Sequence, residues 1–381
     1  MSVSKRIFLV LIGGLLVLTG VAEAQAGPQS KSSETVVRPR PKGDTSSTAP
    51  DSDQPQIPSE YNRKDRPTMP EGSPVFRSDV TTVTVDVAVV DNNGRFIPGI
   101  PAGNFRILED KVPQKISDFS MGAAPMTVCM VIEFSNLFQQ YWSETWYQTL
   151  SAAYGFLDTL KPEDYVAVVA YDLRPEILSD FSTDKRKAYE AMQRLRIAAY
   201  SESNLYDALV DTAERMSDIE GRKAIVLISS GIDTFSKLNF GETRRRLQMA
   251  GVPIYAIGLM QALRQYYDAY GAMDPISRMD FLQADNQMRT FASETGGMSF
   301  FPRFYGEFPS IFSNIAYSLR NQYSLAYQPT NQAKDGAFRK IDVDLVDPKT
   351  GDKLRIVNEK GKSIKYKIIA KAGYKAPHEV E

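Results

Sequence analysis

The chain has 381 residues but only one histidine, His378, and one cysteine, Cys129, and its 45 Lys+Arg nearly balance its 46 Asp+Glu. This scarcity excludes thiolate zinc sites, haem attachment, histidine-rich metal centres and any intramolecular disulfide, and it leaves a hydrolytic relay only a histidine four residues from the C-terminus. The balanced charge excludes a nucleic-acid binder driven by gross charge.

Residues 1–24 read as a secretory signal. Lys5 and Arg6 precede the apolar run Ile7–Val21, and Ala22-Glu23-Ala24 gives a small-x-small cleavage pattern. The run is short for a membrane span, so no integral membrane segment is expected after cleavage. Gln25 follows the cleavage pattern where a lipoprotein would need cysteine. The expected location is therefore the periplasm, the cell surface or the medium. Residues 25–75 hold nine of the 22 prolines, with Tyr61 the only aromatic residue, and read as a disordered linker.

Alternating β-branched residues from Thr82 to Val90 predict a strand. Shorter strands follow at Phe105–Asp110 and Gln114–Phe119, around a turn at Asp110-Lys111. These belong to an N-terminal β segment, residues 76–122. Apolar runs at Met126–Ile132, Tyr165–Tyr171, Ala224–Ile228, Ile254–Ile257 and Tyr323–Tyr327 then alternate with helical patterns at Ser143–Leu160, Asp184–Leu195, Asn204–Ile219, Phe281–Thr295 and Phe308–Asn321. Buried strands separated by amphipathic helices predict an α/β fold, a doubly wound parallel sheet over residues 123–330. Strands return at Phe338–Val346, Leu354–Val357 and Ser363–Ala370. This C-terminal β segment, residues 331–376, is expected to pair with residues 76–122 in one β-sandwich, leaving 377–381 as a tail.

In a doubly wound sheet, ligands sit outside the carboxyl ends of the strands. Three segments should converge there: Val131–Leu137 with Glu133 and Ser135, Ser201–Asp207 with Ser203, and Leu227–Asp233 with Ser230 and Asp233. Hydroxyl and carboxylate oxygens are the ligands Mg²⁺ accepts.

At these residues the chain resembles the von Willebrand factor A domain, and more closely the exported, acidobacterial-type von Willebrand A-related family, from about Val75 to Pro377. The stretches that carry the resemblance are Val85-Asp-Val, Phe105–Asp110, Pro113-Gln-Lys-Ile116, Leu205-Tyr-Asp-Ala-Leu209, Glu294-Thr-Gly-Gly297, Arg320-Asn-Gln-Tyr323, Tyr327-Gln-Pro-Thr330, Phe338-Arg-Lys-Ile341 and Gly373-Tyr374. The resemblance implies a Rossmann-like fold that binds proteins through a metal-ion-dependent adhesion site, with the pattern Asp-x-Ser-x-Ser, a threonine and an Asp-Gly aspartate. Mapped onto this chain, Glu133 stands for the first aspartate, Ser135 matches, Leu137 replaces the second serine, Ser203 the threonine and Ser230 the last aspartate. The expected site is degenerate: Glu133, Ser135, Ser203, Ser230 and Asp233, with weak Mg²⁺ at best and no other cofactor.

Contact with a protein partner then falls to side chains. Tyr141 and Trp142 precede a helix, and Arg264, Tyr266, Tyr267 and Tyr270 lie in a long connection of adaptable composition. No nucleophile elbow or two-histidine motif is present, so an enzyme is not expected. The leading reading is an exported, non-catalytic binding or scaffold protein. The alternatives are a Mg²⁺-dependent adhesion module with its site occupied, a structural cell-envelope module, and a carboxylate-based hydrolase using a pair such as Glu133 and Asp233.

Overall fold

The computed structural model describes residues 82–122, 124–135, 150, 153–195, 200–261, 264–265, 269–271, 275–357 and 361–378. The signal segment 1–24, the linker 25–75, Leu137, Tyr141, Trp142, Tyr266 and Tyr267 lie outside the described residues.

In chain order the strands are β1 (Val83–Asp91), β2 (Phe105–Glu109), β3 (Val112–Gln114), β4 (Ile116–Met121) and β5 (Met126–Glu133). Helical residues 153–159 (α1) lead to β6 (Tyr165–Tyr171), β7 (Pro175–Ser182), α2 (Lys185–Gln193), α3 (Leu205–Met216) and β8 (Arg222–Ser229). Next come α4 (Phe240–Ala250), β9 (Ile254–Gly258), α5 (Pro275–Thr295), β10 (Ser299–Phe300), α6 (Phe308–Asn321) and β11 (Tyr323–Tyr327). The last strands are β12 (Phe338–Leu345), β13 (Ile356–Val357), β14 (Ser363–Ile364), β15 (Tyr366–Ala370) and β16 (Gly373–Lys375).

The α/β part is a six-stranded sheet of order β10-β9-β8-β5-β6-β7. Its strands are parallel except β7, which pairs antiparallel with β6 through two register shifts. Every residue of β5 is buried, as a central strand covered on both faces requires. Helix ends follow their local chemistry. Asp184 caps α2 by accepting from the Arg186 amide, and Asn239 with Glu242 forms a capping box on α4, which stops at left-handed Gly251.

Two four-stranded sheets, β15-β1-β11-β4 and β16-β12-β2-β3, draw their strands from both ends of the described chain. β1 pairs antiparallel with β15 and β11, while β12 pairs with β2 and β16. The sheets meet through Phe105, whose ring centroid lies 4.9 Å from that of Tyr323 and 5.7 Å from that of Phe119. The Tyr327 hydroxyl donates to buried Glu109 Oε2 at 2.7 Å, and that of Tyr374 does so at 3.1 Å. Asp110 and Lys111 both take positive φ, 47° and 71°, in the two-residue turn between β2 and β3, the backbone a twisted hairpin prefers.

One strand is placed differently from its sequence pattern. Tyr323–Tyr327 follows a helix, which suggested a further parallel strand, but β11 lies between β1 and β4 in the antiparallel sheet. The reason is its alternating burial, with Tyr323, Leu325 and Tyr327 buried and Ser324 and Ala326 only partly so; this is a one-faced strand. Arg222, at the start of β8, holds the passage from α6 to β11. Its Nη1 donates to Leu319 O (3.2 Å) and to Arg320 O, and its Nη2 donates to Gln322 O (3.0 Å), so one guanidinium takes up the terminal carbonyls of α6. Arg320 reaches back to Asp164 Oδ2 at 2.8 Å, and Asp164 Oδ1 accepts from the Met126 amide at the start of β5.

Replacing Arg222 with Met leaves these carbonyls buried without a donor. Urea denaturation is expected to show a loss of about 3 kcal/mol, from roughly 1–3 kcal/mol for each unsatisfied buried group. A loss below about 0.5 kcal/mol would show that the joint does not depend on it.

Candidate functional site

The chain leaves β5 toward β6 on one side of the sheet and later enters β8 on the other, so the β5/β8 crevice is the topological switch point. Glu133 ends β5 there. Its register partner on β6 is Tyr171, and Ile132 pairs with Ile228, which sets Ser229 beside Glu133 on β8. Residues level across neighbouring strands share a face, so these three side chains form one row.

Glu133 is fully buried. Its Oε1 accepts from Ser135 Oγ at 3.0 Å. Its Oε2 accepts from Ser229 Oγ at 2.9 Å, the Ser230 amide at 2.6 Å and Ser230 Oγ at 2.8 Å. The Tyr171 hydroxyl donates to Ser229 Oγ at 2.8 Å, and the Gly231 amide donates to the same oxygen at 2.8 Å. Ser229 thus uses its one proton and both lone pairs within the cluster. The turn that presents these donors requires Gly231: φ is +79°, and a Cβ would lie 2.7 Å from Met288 Cε and 3.0 Å from Ala284 O. Burial raises the Glu133 carboxyl above its ordinary value despite the four hydrogen bonds that favour the anion. Burial first, and then the Glu133 charge, push the Tyr171 hydroxyl well above its ordinary range.

The structure brings Glu133, Ser135 and Ser230 into direct contact, while Asp233 and Asp207 serve the adjoining loops. Asp233 Oδ1 accepts from Ser236 Oγ at 2.5 Å and from the Tyr206 amide at 3.2 Å, at the start of α3. Asp207 accepts from the amides of Lys237 and Leu238. Ser203 is held through its backbone: its amide donates to Thr234 Oγ1, and its carbonyl accepts from the Thr234 and Phe235 amides. Its Oγ is buried without a hydrogen-bond partner. Arg264 is turned inward, with Nη1 3.0 Å from Asp285 Oδ2, and its side chain is only 17% exposed. Tyr270 is 72% exposed.

These residues do not fit the Mg²⁺ that the fold family implies. The orphan Ser203 hydroxyl is an available ligand. Against it stand a single carboxylate whose Oε2 already accepts three hydrogen bonds, and a Ser229 oxygen with no free lone pair. No group of three or more His, Cys, Asp or Glu able to hold a metal occurs among the described residues. A six-oxygen shell around a divalent ion needs more charge and more open lone pairs than this. The sequence pattern marked Glu133 and Ser230 but missed Tyr171 and Ser229, whose only signal is strand register with Glu133.

Glu133→Ala is expected to cost on the order of 3 kcal/mol or more, because several buried donors lose their acceptor together. Glu133→Gln keeps one acceptor oxygen and is expected to fold. The folded wild type holds the Glu133 proton to higher pH than the unfolded chain, so this group's contribution to stability falls as pH rises from 4.5 through the raised folded-state value. Chemical denaturation across pH 4–8 should show a flatter profile for Glu133→Gln, and an unchanged profile would contradict the burial argument.

Residues 130–232 match the family model of the von Willebrand factor type A domain. No curated protein matches the chain. Among solved structures, a von Willebrand factor type A protein from Catenulispora acidiphila is 11% identical, with 78% of this chain and 75% of that one covered and a TM-score of 0.41. The vWF domain of the type V pili tip protein Mfa5 from Porphyromonas gingivalis is 13% identical, with 52% and 95% covered and a TM-score of 0.40. Proximal thread matrix protein 1 from the mussel byssus is 13% identical, with 56% of this chain covered and a TM-score of 0.42; the chain spans 51% of that protein's length. The family match falls on β5, β8 and the crevice between them: the chain contains a von Willebrand factor A-like α/β domain.

Proposed function

We propose that this protein is an exported, non-catalytic binding module whose A-like domain recognises a protein partner through side chains at the carboxyl edge of the sheet, with the adhesion-type metal site degenerate. The observation that carries this reading is the hydrogen-bonded closure of Glu133, which leaves no open charge for a partner carboxylate to meet through an ion.

Large apolar side chains on the same edge support contact without metal. Phe235 follows β8 and is 55% exposed; Tyr270 lies between β9 and α5; Met279 on α5 is 63% exposed; Phe304 follows β10 and is 62% exposed. Each belongs to a connection leaving the carboxyl end of a strand, or to the helix that the connection enters. Exposed apolar side chains grouped at one edge are the usual mark of an interaction surface, and aromatic residues make its strongest anchors. Export rests on the signal pattern of residues 1–24, and among the described residues no helix is long and apolar enough to cross a membrane. Absence of catalysis rests on the missing motifs and on a buried carboxylate whose hydrogen-bond partners are serine hydroxyls and one amide, with no second acid or base among them.

Two measurements test the reading on the full chain. Calorimetry with Mg²⁺ and Mn²⁺ is expected to give no saturable heat, and micromolar binding would overturn the metal-free account. The double variant Tyr270→Ser/Phe304→Ser is expected to recover a cross-linked envelope partner at least about tenfold less well than wild type, since hot-spot aromatics are worth about 2 kcal/mol or more each. Equal recovery would remove the edge from consideration.

A further inference from the structure

At the amino-terminal end of the parallel sheet, opposite the Glu133 edge, a cleft of about 840 Å³ opens between the A-like domain and the outer face of the β15-β1-β11-β4 sheet. Small-ligand sites commonly enclose roughly 300–1,000 Å³. Strand register sets the floor. Asp86 on β1 pairs with Ser324 on β11, and Ser324 pairs with Ser120 on β4. Val87 pairs with Ala370, so Lys371, one residue further on, continues the row beside Asp86. Residues level across antiparallel strands share a face, and all four line the cleft. Arg222 and Lys223, at the start of β8, line the facing wall.

The charges in this cleft are not paired with one another. The Arg222 guanidinium is held by backbone carbonyls. The Lys223 ammonium donates to Ser217 O at 2.5 Å and Ile219 O at 2.8 Å, both neutral acceptors, and keeps a third proton. Among the described residues the Lys371 ammonium makes no hydrogen bond or ion pair; it feels Asp86 only at longer range. Burial lowers both lysines, Lys223 to about 8. Desolvated ammonium groups without a counter-ion are costly, and a bound anion offsets that cost. Asp86 acts at long range on Arg222, Lys223 and Lys371, and Asp218 on Lys223; with Glu220 and Lys375 also lining the cleft, four cations face two carboxylates there.

We propose that this cleft binds a small hydroxylated oxyanion, a sugar acid or sugar phosphate, whose carboxylate or phosphate oxygens are taken by Lys371 and Lys223 and whose hydroxyls meet Asp86 and Ser324. The Arg222 charge adds to the field without direct contact. The site is separate from the apolar carboxyl edge and does not depend on how that edge is used.

Calorimetry on the full chain with inorganic phosphate, glucuronate and glucose tests this. Saturable one-to-one binding of phosphate, of glucuronate or of both is expected, with none for glucose; which anion binds tells phosphate from carboxylate. The affinity should fall as NaCl rises, since the contact is ionic and only partly buried. Lys371→Met is expected to weaken binding about tenfold or more, the effect of losing one charge-assisted hydrogen bond, while Lys371→Arg retains it and Lys349→Met, in the exposed turn after β12, leaves it unchanged. Thermal unfolding without ligand checks that Lys371→Met is folded; if it is not, the salt dependence of the wild type decides. No saturable heat with either anion, salt-independent binding, or wild-type affinity in folded Lys371→Met would overturn the proposal.

Discussion

A carboxylate buried at the end of a central parallel strand sets the terms for the edge around it. Glu133 cannot be solvated, so every donor within reach is recruited: three serine hydroxyls and one amide. That demand fixes the rotamers of Ser135, Ser229 and Ser230, the hydroxyl of Tyr171, and the left-handed turn at Gly231. Glutamate is one methylene longer than the aspartate of the family pattern, and the extra length carries the carboxylate across to the β8 turn. There it accepts a backbone amide and closes the crevice. The same residue types that would gather oxygens around an ion here satisfy one another.

The second constraint is the joint between the α/β domain and the antiparallel sheets. β11 is chained to α6 by Gln322 alone, yet it must turn from the helix layer into a different sheet. Such a turn exposes the last carbonyls of α6 at a buried place. Arg222 answers with one planar, five-donor group, and Arg320 with Asp164 ties the same helix end to the start of β5. The hydroxyl of Tyr323, the first residue of β11, donates to Ile97 O and accepts from the Ile100 amide, which anchors the loop after β1. The β15-β1-β11-β4 sheet is therefore tied to the α/β domain, because its strand β11 begins one residue after that domain's last helix.

Much of this was legible in the chain itself. Met126–Ile132, Tyr165–Tyr171 and Ala224–Ile228 are apolar runs too short for helices, and each is a strand of the parallel sheet. The cap at Asp184 also reads locally, because capping depends on residues within one turn. The edge strands did not. β7 starts at proline, carries Glu176 and Asp180, and pairs irregularly, while β10 is two residues long, so neither has a periodic signal. The assignment of β11 turned on tertiary context: order along the chain pointed to the parallel sheet, and the buried-exposed alternation pointed to the other. At the site, Glu133, Ser135 and Ser230 could be located from their place at the strand ends and from the resemblance to the family pattern. That Asp233 caps a loop, that Arg264 folds inward on Asp285, and that Tyr171 and Ser229 complete the cluster are consequences of side-chain direction and register, which spacing does not encode.

The two ends of the parallel sheet solve the same problem in opposite ways. Strand ends bring polar backbone and side-chain groups together, and each end must either satisfy them internally or offer them to something else. At the carboxyl end the Ser135, Ser229 and Ser230 hydroxyls turn inward on Glu133, and three large aromatic side chains, Phe235, Tyr270 and Phe304, stand exposed. At the amino end the polar groups stay open, because Lys371 and Asp86 face the same cleft without meeting and Lys223 is held only by carbonyls. Apolar side chains gain from leaving water wherever a complementary surface exists, and such a contact needs no ion. Openness at the amino end keeps charge where a small, well-hydrated ligand can reach it. The edge and the cleft thus carry separate chemistry, set by different residues at opposite ends of the same strands.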